Sequence, residues 1–128
     1  MDWPNAKAKI RGSVKPGTDL NTTSSTYRYV LSTDAIIQSV RYKYKNESGF
    51  IVAIGKANKI SIPWGMLENC FVQLQNPQGY GGKYFRERYP LQAQDHPCHV
   101  HVIGQIFVAS GIAYLDGSKY HKLKNRGQ

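Results

Sequence analysis

Residues 41–74, RYKYKNESGFIVAIGKANKISIPWGMLENCFVQL, constrain the fold more than any other part of the chain. Residues 41–45 alternate basic and aromatic side chains, Asn46-Glu47-Ser48-Gly49 has turn chemistry, and residues 50–54 are an unbroken apolar run. So short an apolar run between polar connections reads as a central strand buried on both faces. Gly55 ends it, residues 56–59 make a second hairpin loop, and Ile60 and Ile62 resume alternation. Pro63 suits a first helical turn, where its missing N–H costs nothing. Leu67, Cys70, Phe71 and Leu74 then fall at i, i+3, i+4 and i+7, one apolar stripe, before Asn76-Pro77 stops the helix. The pattern is a three-strand meander running into a helix.

The flanking segments extend this to an α+β domain. Residues 6–13 alternate Ala and Ile against Lys and Arg, which predicts a half-buried strand with a basic outer face. Residues 15–25 read as a loop and 26–32 as a strand. Thr33 and Asp34 can cap a short helix over 35–39, and residues 40–45 form the strand leading into the 46–49 turn. Residues 75–94 are the least regular, with Gly79, Gly81 and Gly82 marking a mobile loop. Asp95 as N-cap, Pro97 in the first turn and Gly111 past the end predict a helix over 95–110, preferred to a strand because about sixteen residues is long for one. A terminal hairpin turns at Asp116-Gly117, a type I′ signal. The expected whole is one domain, 1–128, with 1–5 and 124–128 flexible. Its antiparallel meander or sheet has about five to seven strands packed against two helices, about 63–75 and 95–110, and ends in a C-terminal β-hairpin.

Composition bears on function through charge. Seventeen Lys and Arg stand against eight Asp and Glu, a formal net charge of +9, which points to a polyanionic partner such as nucleic acid. Twelve per cent aromatic content argues against disorder. The two cysteines, Cys70 and Cys98, are too few for a disulfide framework and form no CxxC pair. The first residues carry no signal-peptide core, and no run approaches the ~20 apolar residues of a membrane span. The expectation is a soluble cytoplasmic protein with reduced thiols and no membrane association.

Three tracts interleave cations with aromatics: RYKYK, KYFRER and SKYHKLKNR. Cations meet phosphates and aromatic faces stack on bases. The candidate nucleic-acid contacts are therefore Lys83, Tyr84, Phe85, Arg86 and Arg88, then Arg41, Lys43 and Lys45, and finally Lys119 and Lys122. Strand alternation alone accounts for RYKYK, with Tyr inward and Lys outward; no such reason covers KYFRER in a loop. The tracts carry no preference for DNA or RNA.

His96, Cys98, His99 and His101 are the only crowded metal-ligand types, with His121 able to join them. Their spacing fits no zinc motif, so no metal is expected. The eight carboxylates are scattered, against a two-metal nuclease. Gly81-Gly82-Lys83 lacks the rest of a P-loop and no nucleophile elbow occurs, so no cofactor is expected. The pattern favours a binding protein over an enzyme. Two alternatives stay open: a metal-independent, toxin-like ribonuclease using His99, His101 and Arg86 as acid, base and phosphate cation, and a homodimeric assembly protein.

Overall fold

The computed structural model describes residues 1–21 and 27–124. The elements are α1 (Trp3–Ser13), β1 (Arg28–Ser39), β2 (Tyr44–Ile54), β3 (Asn58–Pro63), α2 (Trp64–Leu74), α3 (Gly82–Arg88), α4 (Pro90–Asp95), α5 (His99–Ala109), β4 (Ala113–Asp116) and β5 (Lys119–Lys122). The α+β class holds, but its make-up differs from the expected sheet of five to seven strands on two helices. The described strands form one three-stranded antiparallel sheet, β1-β2-β3, and a separate β4-β5 hairpin, and the helices number five. Parts of the expected 15–25 loop, 26–32 strand and 124–128 tail fall on residues 22–26 and 125–128, outside the described residues.

The first correction is α1, where alternation predicted a strand. Ala and Lys are strong helix formers and poor strand formers. Asp2 caps the helix, its Oδ1 accepting from the Asn5 N–H at 3.0 Å, and Pro4 occupies the first turn. Ala6 and Ile10, one turn apart, are buried, while Ala8, which the strand reading placed beside them, is exposed. Trp3, in the 1–5 lead, opens α1, and its ring packs 5.5 Å from Phe71 and 6.2 Å from Trp64.

The meander exists, with its first turn displaced. Residues 35–39 continue β1 rather than forming a helix, because Asp34 is not free to cap: its carboxylate binds Arg11 at 2.9 Å. The β1–β2 turn lies at 40–43, with Lys43 at φ 60, so Arg41, Lys43 and Lys45 do not share a strand face. Asn46 to Gly49 belong to β2. Gly49 is needed there for close approach: a Cβ would lie 2.7 Å from the Pro63 Cα and closer still to the Ile62 carbonyl oxygen. Glu47 reaches across to α2, its Oε1 accepting from the Gly65 N–H at 2.7 Å. That carboxylate caps a helix whose own N-cap, Pro63, has no side chain to do so.

The central strand and α2 are as expected. β2 pairs with both neighbours, and Phe50 and Val52 are fully buried. Leu67, Cys70, Phe71 and Leu74 all face the core, with Trp64 buried at the junction.

Residues 75–94 are not a mobile loop but contain α3 and α4. Pro90 separates the two by forcing Tyr89 out of helical geometry, to φ −130 and ψ 64. Pro97 does the same to His96, so the expected 95–110 helix begins only at His99, and Asp95 closes α4 instead of capping α5. Val102, Ile103, Ile106 and Phe107 form the buried stripe of α5. In the hairpin Asp116 pairs with Lys119, leaving Gly117-Ser118 as the loop. Gly117 alone has positive φ, 63, which is the type II′ pattern rather than type I′ at Asp116-Gly117. Among the described residues no helix is long and apolar enough to cross a membrane.

Candidate nucleic-acid interface

Tyr80 and Tyr120 hold two of the mixed tracts together. Each donates its backbone N–H to the other's carbonyl at 2.8 Å, and both side chains are fully buried. The Tyr80 hydroxyl donates to the Val100 carbonyl at 3.0 Å, while Gln105 donates to the Tyr120 hydroxyl at 3.2 Å. The nearby glycines serve this contact. A Cβ on Gly79 would lie 2.5 Å from the Tyr120 carbonyl oxygen, and one on Gly81 would lie 3.3 Å from the Lys119 stem. Glycines that locally read as a mobile loop are thus a packed joint.

The joint places the start of α3 beside β5. Between them runs a groove of about 190 Å³, walled by Gln73, Gln78, Lys83, Tyr84, Glu87 and Lys119. Arg86 stands one turn after Lys83, with its guanidinium over Gly82. Lys83, Arg86 and Lys119 are exposed, and Glu87 is the one acid lining the groove. Among the described residues the two ion pairs, Arg11–Asp34 and Arg41–Asp95, involve none of them.

Other expected contacts lie elsewhere. Phe85 is fully buried and stacks on the His99 ring at 5.5 Å and 20°, so no base can reach its face. Tyr84 keeps one side in the groove and donates its hydroxyl to the Asn69 carbonyl at 3.2 Å. Arg88 lies over the Tyr89 ring at 5.8 Å. Lys122 is exposed, but strand alternation sends it to the opposite side of β5 from Lys119. The RYKYK tract forms a separate site at the β1–β2 turn. Arg41 pairs with Asp95 at 2.8 Å, the Tyr42 hydroxyl donates to the same carboxylate, and Gln92 donates to the Tyr44 hydroxyl at 2.9 Å. Hydrogen bonding from Tyr42 and the Arg41 charge hold the Asp95 carboxyl below its ordinary range. Burial pushes the Tyr44 phenol up to about 12. Lys43 and Lys45 stand exposed on either side of Tyr44.

The histidine cluster is divided by helix geometry. Residues two apart on a helix point to nearly opposite sides, and α5 carries His99 and His101 at that spacing. His99 is buried, its Nδ1 3.0 Å from the His96 carbonyl oxygen. His101 faces the Tyr120 hydroxyl at 3.0 Å. The two are not brought together as an acid–base pair, and Arg86 lies on α3 with neither of them among its described contacts. No group of three metal-ligand side chains occurs among the described residues. Cys98 is half-buried and Cys70 buried, both as free thiols.

Burial lowers the pKa of both histidines, and for His101 the Arg28 charge adds to the effect. Below the ordinary value of 6.5 the unfolded chain therefore binds protons that the folded imidazoles resist. Stability is complete above 6.5 and falls as the pH drops through it toward the folded pKa values. The melting temperature should be lower at pH 5.5 than at 7.5, and His99→Asn should shrink that difference. A flat profile over this range would show that the folded imidazoles titrate normally.

A second cavity, about 200 Å³, lies between the β1–β2 turn, β3 and the His96 region. The Tyr42, Tyr44, His96 and His99 rings line it, together with Gln38, Ser39, Lys59 and Ser61. Sequence reading missed Gln38, Ser39, Lys59 and Ser61 as site residues. They come from separate segments, and no local pattern announces their meeting. Gln73 and Gln78 of the first groove were missed for the same reason. Comparison with protein-family models, curated proteins and solved structures finds no match.

Proposed function

We propose that this domain binds nucleic acid through the groove between α3 and β5, holding the phosphate backbone by charge. The observation that carries the reading is the convergence of Lys83 and Lys119, from two separate cation–aromatic tracts, on one groove with Arg86 beside it. A +9 chain that sets three of its exposed cations where Glu87 is the one acid of the lining offers a track for a polyanion. Tyr84 adds an aromatic wall along that track.

Burial argues for backbone contact over groove reading. A helix-turn-helix reader inserts its second helix into the major groove. Here the longest of the last three helices, α5, has seven of its eleven residues buried, so it offers too little free surface to meet base edges. Single strands, held by phosphate contacts and aromatic faces, fit the exposed groups better.

Fluorescence anisotropy with short single-stranded oligonucleotides between about 50 and 200 mM salt tests the proposal. Each phosphate neutralised adds about 0.7 to the salt slope on a single strand, so Lys83→Ala, Arg86→Ala and Lys119→Ala together should lower it by about 2. Since all three side chains are exposed, melting should hardly change. No binding at low salt would refute the reading. An unchanged slope in the triple variant would place the interface elsewhere.

A further inference from the structure

The cavity beside the β1–β2 turn has a chemistry that the backbone groove lacks. Four of its nine lining residues are rings: Tyr42 and Tyr44 with centroids 5.9 Å apart, and His96 and His99 at 6.2 Å. Burial lowers the pKa of His99 and so favours its neutral ring. The Gln38 amide and the Ser39 and Ser61 hydroxyls add neutral hydrogen-bonding groups, and Ile60 an apolar one. Lys59 is the one Lys or Arg of the lining. Lys43 and Lys45, which flank Tyr44 in sequence, are exposed and are not part of the lining.

Size and polarity together select a ligand class. At about 200 Å³ the cavity is smaller than the ~300–1,000 Å³ of sites for drug-sized molecules, so it suits a single ring system rather than a whole dinucleotide or cofactor. Aromatic walls with amide and hydroxyl groups match the faces and edges of an unstacked base. A phosphate would instead demand several converging cations, and the lining offers only Lys59. Taking this beyond the backbone contacts proposed above, on which it rests, we infer that the pocket takes one unstacked nucleobase of a single strand.

The test compares base-bearing with abasic single strands of equal length. The intact protein should bind the base-bearing strand about 10-fold tighter. Two variants should erase that preference while keeping the salt slope: the pair Gln38→Ala/His96→Ala, which removes two lining groups, and Ser61→Phe, which fills the cavity. Their melting temperatures show that each is folded, and either folded variant suffices. If the intact protein does not distinguish the strands, or both folded variants still do, the inference is overturned while the phosphate reading stands. If no strand binds, the phosphate reading fails, and free nucleosides followed by the Tyr42 and His96 NMR signals decide the pocket. Shifts that the variants abolish would keep it as a site for a free base; no shifts would overturn it as well.

Discussion

Trp64→Ala is expected to lower the free energy of unfolding by about 3–5 kcal/mol. Trp64 is 5% exposed and sits where β3 turns into α2. Phe50 of the central strand lies 5.1 Å from it and Trp3 of α1 6.2 Å, so one ring joins sheet, first helix and second helix. Lys7 and Arg11 cover its face at 5.0 and 4.9 Å. Truncation would open a cavity bordered by three elements that cannot all move inward. Among the described residues the indole N–H has no hydrogen-bond partner, so no acceptor there is orphaned and the loss is one of packing. Trp64→Phe should therefore retain most of the stability, because it deletes an unpaired buried donor along with part of the ring. Denaturant titration followed by circular dichroism measures both. An unchanged midpoint for Trp64→Ala would show that the ring does not join these elements.

Gly104→Ala should destabilise the protein by about 1–3 kcal/mol, against the general trend. In an open helix the same change is favourable by about 1 kcal/mol, because Gly is the costlier residue to order. Gly104 is different because the Tyr120 ring lies on it. An added Cβ would be 2.6 Å from Tyr120 Cδ2 and closer still to Cε2 and Cζ. The ring has nowhere to withdraw, since it is fully buried and its hydroxyl bonds with His101 and Gln105. Relief would have to come from β5, loosening the Tyr80–Tyr120 joint that holds Lys119 beside α3. Thermal melts of Gly104→Ala, Tyr120→Leu and the double variant read the coupling: the double should lose less than the sum of the singles. A stabilised Gly104→Ala protein would show that helix propensity outweighs the contact.

How much of the site was legible follows from the range over which each signal acts. The mixed tracts were visible as residue types, and of their cations Lys83, Arg86 and Lys119 stand exposed. Phe85 was misassigned because a Tyr-Phe pair next to cations looks the same whether a ring faces solvent or core. Only the turn of α3 places Phe85 against His99. The proximity of His99 and His101 in sequence suggested a pair, and the helix that carries them separates them.

The sequence by itself determined the elements whose cues are local and mutually reinforcing. Pro63 with the Leu67, Cys70, Phe71 and Leu74 stripe sufficed for α2, and the 50–54 apolar run for a central strand. Local cues also existed for α1 in Asp2 and Pro4, where alternation was given too much weight over the helix propensity of Ala and Lys. Tertiary structure alone decided where polar and small residues spend their interactions. Asp34 could cap a helix until Arg11, 23 positions away, took its carboxylate. Glu47 looked like part of a turn until α2 offered an uncapped N–H 18 positions on. Gly49, Gly79 and Gly104 are glycines because Pro63, Tyr120 and their neighbours approach within the space of a Cβ. A short side chain has several partners of nearly equal worth within its own segment, so the choice falls to whichever distant group the packed core brings into reach.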